Sequence, residues 1–384
     1  MTVVDPISLT RDLIRRPSVT PADAGAMDIV QGQLEALGFA CRRMKFGEIE
    51  NLYARRGSAG PNLCFAGHTD VVPVGAAADW SVDPFEAALK DGVLFGRGAV
   101  DMKSGIAAFI AAASRVIARG EPAGSLSLLI TGDEEGVSTH GTKLVVEQLI
   151  AEGEGVDHCV VGEPTSSQRF GDMIKIGRRG SLNAVITVEG RQGHVAYPQR
   201  AANPVPVLVR LLTRLVDHRL DDGYEAFQPS NLEVTTVDVG NAATNVIPAT
   251  AKAGLNIRFN PGHKGADLVA WLEAECARAG EGFDGRVSLT AAISGEAFLT
   301  PEGDFTALAA EAVASVSGVT PELSTTGGTS DARFIRALCP VLEFGLVGTT
   351  MHAVNERAPI GEIEDLARVY ERLIETYFAR FAPA

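Results

Sequence analysis

Three short apolar runs in this chain each lead into a glycine that is closely followed by a carboxylate or a histidine. They are residues 63–66 before Gly67-His68-Thr69-Asp70, residues 126–130 before Thr131-Gly132-Asp133-Glu134-Glu135, and residues 159–161 before Gly162-Glu163-Pro164. Short apolar runs that end in turn residues predict buried strands, with the polar residues just beyond their carboxyl ends. Open α/β sheets bind ligands at that edge. The pattern therefore predicts an α/β fold with its functional residues along one sheet edge.

The rest of the chain shows two different patterns of predicted secondary structure. Helical spacing covers residues 7–38, 106–118, 140–151, 305–316 and 361–380, and further strands are expected at 52–54 and 341–344. Between these parts, strands at 182–188, 232–239, 252–259 and 286–291 are interleaved with helices at 204–217 and 265–279. Two strand–helix–strand units in tandem predict an α+β sandwich inserted into the first domain.

Length and composition limit the class of protein. A chain of 384 residues is long enough for two domains, and its net charge of −14 argues against nucleic acid and anionic membrane surfaces as partners. The amino-terminal residues lack a basic segment followed by a long apolar core. Five scattered cysteines form no C-x-x-C pair, which favours reduced thiols in a cytoplasmic protein.

Six candidate functional residues follow or adjoin the predicted strands and carry imidazole or carboxylate groups. They are His68, Asp101, Glu134, Glu135, Glu163 and His352. Imidazoles and carboxylates without cysteine suit zinc, cobalt or manganese, and the set is large enough for two metals with a bridging carboxylate. Asp101 is the natural bridge. Of the adjacent Glu134 and Glu135, one can bind metal while the other holds the attacking water as a general base.

Each candidate also has an ordinary structural explanation when it is taken alone. Asp101 could cap the helix that follows it, Glu163 could be a solvated turn residue, and His352 could lie in the core. His194 could be a simple loop histidine. Other catalytic patterns are absent, because the chain has no G-x-S-x-G elbow, Walker A loop or H-E-x-x-H motif, and its Gly96-x-Gly98 lacks the third glycine of a dinucleotide loop.

Taken together, the motifs of this chain resemble those of the co-catalytic dizinc aminoacylase/carboxypeptidase family. The shared motifs are GHTDVVPVG at 67–75, GRGAVDMKSG at 96–105, TGDEEG at 131–136, GEPT at 162–165 and MHAVNE at 351–356. Further similar segments are GRRGSL at 177–182, RQGHVAYP at 191–198 and GGTSDARF at 327–334. The resemblance covers essentially the whole chain.

The resemblance implies a mixed-sheet dizinc exopeptidase-like catalytic domain that binds two Zn²⁺ per subunit, with Co²⁺ able to substitute. His68, Asp101 and Glu163 would hold one zinc, and Asp101, Glu135 and His352 the other. Glu134 would be the general base, Asp70 would orient His68, and the Asp101-Met102 peptide bond is expected to be cis.

The resemblance also implies a domain arrangement and a homodimer. Residues 1–179 and 293–384 would form the catalytic domain, and residues 180–292 a ferredoxin-like domain that mediates dimerisation. From that domain His194, which would stabilise the oxyanion, and Asn245 would reach the site of the neighbouring subunit.

The implied activity is hydrolysis of an N-acyl amino acid, a small molecule with several carboxylates. An acidic protein needs local cations to bind such a substrate, and Arg178 and Arg258 match the family positions. Hydrogen-bonding partners are expected at Ser181, Tyr197, Gly328 and Thr329. One departure is Gly348-Thr349-Thr350, where such enzymes often carry an asparagine. Two alternatives stay open: another N-acyl-amino-acid deacylase with the same metal core, such as acetylornithine deacetylase, and a non-catalytic binding protein with the same fold.

Overall fold

The structure is a computed structural model and describes residues 3–382. The α-helices of this part are α1 Pro6–Ile14, α2 Ala26–Ala36, α3 Lys103–Arg119, α4 Thr142–Glu152, α5 Pro204–Asp217, α6 Gly265–Gly280, α7 Asp304–Ser317, α8 Ala332–Ile335 and α9 Ile360–Phe381. The strands are β1 Ala40–Phe46, β2 Ile49–Arg56, β3 Asn62–His68, β4 Ala88–Lys90, β5 Val93–Phe95, β6 Ser125–Thr131, β7 His158–Val161, β8 Met173–Lys175, β9 Gly177–Arg178, β10 Gly180–Glu189, β11 Gly193–His194, β12 Asn231–Asp238, β13 Val246–Ile247, β14 Thr250–Phe259, β15 Arg286–Gly295, β16 Phe298–Leu299, β17 Glu322–Ser324, β18 Val341–Glu343 and β19 Arg357–Pro359.

The chain divides into two compact units. The first consists of Met1–Ile176, Thr300–Ser324 and Ser330–Ala384, and the second of Gly177–Leu299 and Thr325–Thr329. Within the described residues, no helix is both long enough and apolar enough to cross a bilayer.

The first unit is built on a mixed eight-stranded sheet with the order β1-β2-β6-β3-β7-β18-β8-β17. Strand β3 is parallel to both β6 and β7, whereas β1 and β2 form an antiparallel hairpin at one edge. Every residue of β3 and β6 is buried, as expected for central strands whose two faces are both covered. The parallel strands place their carboxyl ends at one edge of this sheet.

Helix α3 lies against β3 because its sequence is rich in small residues. Phe109 of α3 stacks on Phe65 of β3 with 4.5 Å between ring centroids. A Cβ atom at Gly105 would lie 2.6 Å from the carbonyl oxygen of Gly162, so only glycine allows this close approach. The first turns of α3 thereby contact the turn that carries Glu163.

The second unit has the predicted α+β architecture. Its four-stranded antiparallel sheet has the order β12-β14-β10-β15, which is the order of a ferredoxin-like βαββαβ unit. Helices α5 and α6 pack against one face of it, where residues of β10 and β14 alternate between buried and more exposed positions. The domain boundaries expected from the sequence, and the role of this unit in dimerisation, stay predictions.

Two differences from the sequence-based elements stand out. The predicted helical region 7–38 is two helices, because residues 15–25 contain Pro17, Pro21 and Gly25, which interrupt helical backbone. The three-stranded sheet β19-β5-β4 was not expected from the sequence. Its three-residue strands are too short to show a period.

Candidate metal centre and active site

The carboxyl ends of three neighbouring parallel strands supply most of the candidate ligands. His68 is the last residue of β3, Glu134 and Glu135 follow the end of β6, and Glu163 follows β7. Asp101 lies in the turn that leads into α3. The predicted meeting of these residues at one sheet edge is therefore observed.

Asp101 lies between two pairs of side chains. Its Oδ1 atom is 3.2 Å from His68 Nε2, and the same nitrogen is 3.6 Å from Glu163 Oε1. Its Oδ2 atom is 3.2 Å from His352 Nε2, which is 2.8 Å from Glu135 Oε1. One carboxylate thus offers a separate oxygen to each imidazole–carboxylate pair.

The donor set fits two divalent cations. The four distances above lie between 2.8 and 3.6 Å. Neighbouring ligand atoms of a tetrahedral zinc ion are about 3.3 Å apart when the bonds are about 2.0–2.1 Å long. Ligand atoms of His68, Asp101 and Glu135 lie within 4.8 Å of one another, and so do those of His68, Glu134 and Glu163. All are nitrogen or oxygen atoms, which suits zinc or cobalt.

The ordinary explanations for three of these residues do not hold. Asp101 is not the N-cap residue of α3, because Met102 holds that position, and the carboxylate oxygens of Asp101 instead face the imidazoles of His68 and His352. Glu163 is only 12% exposed, so it is not a solvated turn residue, and His352 is 48% exposed, so it is not a core histidine. The Asp101-Met102 peptide bond is cis, as expected.

The electrostatics are those of a buried anionic cluster. Burial, together with neighbouring carboxylates such as Asp101, raises the pKa of Glu163 well above its usual range. Hydrogen bonds with Asp101 and Glu135 raise the pKa of His352 to about 10. Burial alone would lower the pKa of His68, but Asp101 and Glu163 raise it well above its usual value. Closely spaced buried carboxylates repel each other, and divalent cations would offset this repulsion.

Asp70 contacts His68 as expected, but it does so through its backbone carbonyl and not through its side chain. The Nδ1–H of His68 donates to the backbone carbonyl of Asp70 at 2.9 Å, whereas the nearest carboxylate oxygen is 3.7 Å away. That carboxylate instead accepts the backbone N–H groups of Glu134 and Glu135, at 3.2 and 3.0 Å. A protonated Nδ1 leaves Nε2 free to bind a metal. Asp70 therefore arranges both the imidazole and the two glutamates.

Glu134, the predicted base, has two neighbours, Arg333 and Asp331, to which the sequence motifs gave no role. Its Oε1 atom is 3.9 Å from Nη1 of Arg333, whose side chain is only 7% exposed. Burial and the nearby carboxylate of Asp331 raise the pKa of Glu134 well above its usual value. Asp331 in turn accepts the hydroxyl hydrogen of Thr142 at 2.6 Å. Both unassigned residues lie in the segment GGTSDARF, which was the available signal.

The residues predicted to bind substrate or to reach a partner subunit all belong to the second unit. They are Arg178, Ser181, His194, Tyr197, Asn245, Arg258, Gly328 and Thr329. His194 and Asn245 are both exposed. Their segments are adjacent, since the Val195 N–H donates to the carbonyl of Asn245 at 3.1 Å. Ser181 and Arg258 are paired residues of β10 and β14. The metal-centre residues belong to the first unit, so their joint action with this group stays a prediction.

Comparison with known proteins identifies the family. The profile of Peptidase family M20/M25/M40 matches residues 64–376. The chain belongs to this family. Among its relatives, a succinyl-diaminopimelate desuccinylase of Caulobacter vibrioides is 70% identical over 379 residues. The match covers 99% of this chain and 97% of that protein. The segments at 177–182, 191–198 and 327–334 predict a relative of this kind, which is confirmed.

Solved structures agree with the M20 assignment. An M20 family metallo-carboxypeptidase from Sulfolobus solfataricus has a TM-score of 0.81 at 18% identity, with 98% of this chain and 99% of that chain covered. A dinuclear metal binding peptidase of the M20 family from Bacillus subtilis has a TM-score of 0.73 at 16% identity, with 97% and 98% covered. These likenesses confirm the predicted mixed-sheet α/β fold.

Proposed function

We propose that this M20 family member hydrolyses N-succinyl-LL-2,6-diaminopimelate to succinate and LL-2,6-diaminopimelate. The observation that carries the reaction class is the carboxylate of Asp101, which offers one oxygen to each of two imidazole–carboxylate pairs. The substrate is proposed from the 70% identical relative, whose name states desuccinylation of succinyl-diaminopimelate.

Two zinc ions per subunit are the proposed cofactors, and cobalt ions would substitute for them. His68, Asp101 and Glu163 would hold one ion, and Asp101, Glu135 and His352 the other. When bound, the ions lower the pKa of a water molecule and polarise the amide carbonyl.

The protein residues handle the protons and the developing charge. Glu134 takes the proton from the attacking water and returns it to the leaving amine, as a general base and then a general acid. Its position is held by the carboxylate of Asp70, which accepts the backbone N–H of Glu134 at 3.2 Å. His194 donates a hydrogen bond to the oxyanion that forms on the succinyl carbonyl.

The substrate carries three carboxylates, which Arg178 and Arg258 would bind through their guanidinium groups. Ser181, Tyr197, Gly328 and Thr329 would add hydrogen bonds. Arg258 belongs to β14 and lies opposite Ser181 of β10, so the second unit presents a cation next to a hydroxyl group.

A homodimer through the second unit completes the proposal. Helix α5 exposes Val209 and Val216, which are seven residues apart and 54% and 59% exposed, so they share one face. The edge strand β12 exposes Val237 to 56%. Apolar residues on a helix face and on a sheet edge suit burial against a second copy. His194 and Asn245 would then act at the site of the partner subunit. We place this dimer in the cytoplasm, where the free cysteines stay reduced.

A substrate panel tests the proposed specificity. Purified enzyme of known metal content is assayed with N-succinyl-LL-diaminopimelate and with N-acetylornithine, and kcat/KM is compared. We expect the succinylated substrate to be clearly preferred, because the arginines named above would bind its additional carboxylates. A clear preference for N-acetylornithine would favour an acetylornithine deacetylase activity, and turnover of neither substrate would favour a binding protein.

A further inference from the structure

A buried ion pair joins two segments of the first unit that lie far apart in the sequence. Arg97 Nη1 donates to Glu356 Oε2 at 2.6 Å, and the two side chains are 2% and 0% exposed. Arg97 lies in GRGAVDMKSG with Asp101, and Glu356 lies in MHAVNE with His352. Neither residue has a role in the proposed reaction, so their burial has no explanation yet.

The glutamate holds the backbone that carries Asp101. Glu356 Oε1 accepts two backbone hydrogen bonds, from the N–H of Val100 at 2.9 Å and from the N–H of Asp101 at 3.1 Å. The backbone carbonyl of Glu356 also accepts the N–H of Gly96 at 3.0 Å. Hydrogen bonds to a carboxylate are stronger than those between neutral groups. The bridging residue of the metal centre is thus fixed at its own amide.

The arginine holds the backbone that carries His352. Arg97 Nη2 donates to the carbonyl oxygens of His352 at 3.4 Å and Pro73 at 3.3 Å, and Nη1 donates to that of Ala353 at 3.3 Å. The guanidinium carbon lies 5.3 Å from the centre of the Trp80 ring, which adds a cation–π contact. His352 has φ of 60°, a left-handed conformation that residues other than glycine rarely adopt. Arg97 bonds the carbonyl of this unusual residue directly.

We propose that Glu356 and Arg97 are positioning residues that set the geometry between Asp101 and His352, and thereby the affinity of the metal centre. The proposal rests on the two-metal function proposed above. Asp101 Oδ2 and His352 Nε2 are 3.2 Å apart, and the ion pair contacts the backbone of both residues. A buried ion pair adds little stability compared with apolar packing, whereas residues that orient ligands commonly govern metal affinity.

The test measures metal binding without substrate. The variant Glu356→Gln keeps an oxygen acceptor for the two backbone N–H groups, but it loses the charge that pairs with Arg97. We expect metal-free Glu356→Gln to bind Zn²⁺ and Co²⁺ about 10–100-fold more weakly than the wild type. The visible absorption spectrum of the Co²⁺-loaded variant should also change, because the ligand geometry shifts.

A matched control exists in the same unit. Arg55 and Glu154 form another ion pair with 2.5 Å between nitrogen and oxygen and side chains 22% and 25% exposed. Arg55 lies opposite Ser127, near the start of the neighbouring strand β6. Glu134 and Glu135 follow the opposite end of that strand, so this ion pair is not next to them. Glu154→Gln should therefore leave metal affinity and the Co²⁺ spectrum unchanged.

A second variant decides the outcome if Glu356→Gln does not fold. Arg97→Lys keeps the positive charge but cannot reach Glu356, His352 and Pro73 at once, so it should also weaken metal binding. Folded variants with wild-type metal affinity and an unchanged Co²⁺ spectrum would overturn the positioning role. A wrong substrate assignment would leave these binding results intact, whereas a wild-type chain that binds no pair of metal ions would overturn the proposed function itself.

Discussion

Asp70 illustrates how much of the candidate centre depends on single residues. Its carbonyl oxygen accepts the Nδ1–H of His68, and its carboxylate accepts the N–H groups of Glu134 and Glu135. Burial, the largest influence, raises the pKa of Asp70 to about 6. The adjacent glutamates therefore share one anchor while their side chains differ in surroundings, since Glu135 contacts His352 and Glu134 lies near Arg333. This division suits one metal ligand and one base.

At the residue scale, Glu134→Gln tests the base directly. The amide has nearly the size of the carboxylate but cannot accept the proton of the attacking water. We expect kcat to fall by about 10²–10⁴-fold, while elemental analysis still finds two metals per subunit. Glu134→Ala should give the same result. Retention of substantial turnover by both variants would remove Glu134 from this role.

At the scale of elements, Asp221 organises the connections of the second unit. Its carboxylate accepts the N–H groups of Gly223 and Ser230 at 2.7 and 3.2 Å, and the Nδ2–H of Asn260 at 2.9 Å. His263 Nε2 is 2.9 Å from the same carboxylate. One side chain therefore joins the segment before β12 to the turn between β14 and α6.

Replacement of Asp221 by asparagine should destabilise the protein in a pH-dependent way. Partial burial opposes the shift, but hydrogen bonds from Ser230, Gly223 and His263 lower the pKa of Asp221 from 3.8 to about 2. A lowered carboxyl pKa contributes stability above the unfolded value near 3.8, and this contribution is lost as the pH falls towards 2. We expect Asp221→Asn to lower the free energy of unfolding by about 1.5 kcal/mol at pH 7.

Urea unfolding of the full chain at pH 7, 5 and 3 measures this difference, which should shrink at the lowest pH. The neighbouring Asp222→Asn is the control, because the Asp222 side chain is 82% exposed and pairs only with the exposed Arg219 in the described structure. It should leave stability nearly unchanged. An equal loss at all three pH values would contradict a contribution from the charge of Asp221.

At the scale of the whole molecule, the proposed active site needs residues from two chains. The base lies in the first unit, and His194 lies in the second unit, which is proposed to serve the partner subunit. In a symmetric dimer both sites would be built in the same way, each with Glu134 of one chain and His194 of the other.

Mixing two inactive variants tests this arrangement. In a mixed dimer of Glu134→Ala and His194→Ala chains, the site on the His194→Ala chain has its own Glu134 and takes an intact His194 from its partner. Unfolding and refolding an equal mixture should therefore restore about a quarter of wild-type activity, since half of the dimers are mixed and each has one intact site. Refolding each variant alone is the control. If His194 acted within its own chain, the mixture would stay inactive.

The central elements were predictable because local patterns encode them. β3, β6 and β7 each contain a short run that is wholly or largely apolar, and α5 and α6 show a helical period. β1 was missed because its sequence ACRRMKF contains three cationic residues, which suit an edge strand and hide the alternation. In the second unit, the alternation of apolar and polar residues was sufficient to predict the strands of the sandwich.

The sequence alone determined the chemistry at the strand ends: two imidazoles and several carboxylates, each at the end of a buried run or in a motif. Such local order follows from the hydrophobic pattern, which decides where strands end. Only the tertiary structure decided which groups contact each other. The carbonyl of Asp70 bonds His68, Arg333 approaches Glu134, and Glu356 joins Asp101 across 255 positions of the chain. These contacts arise where segments that are far apart in the sequence pack together. Local hydrophobic periodicity carries no information on which distant segments meet.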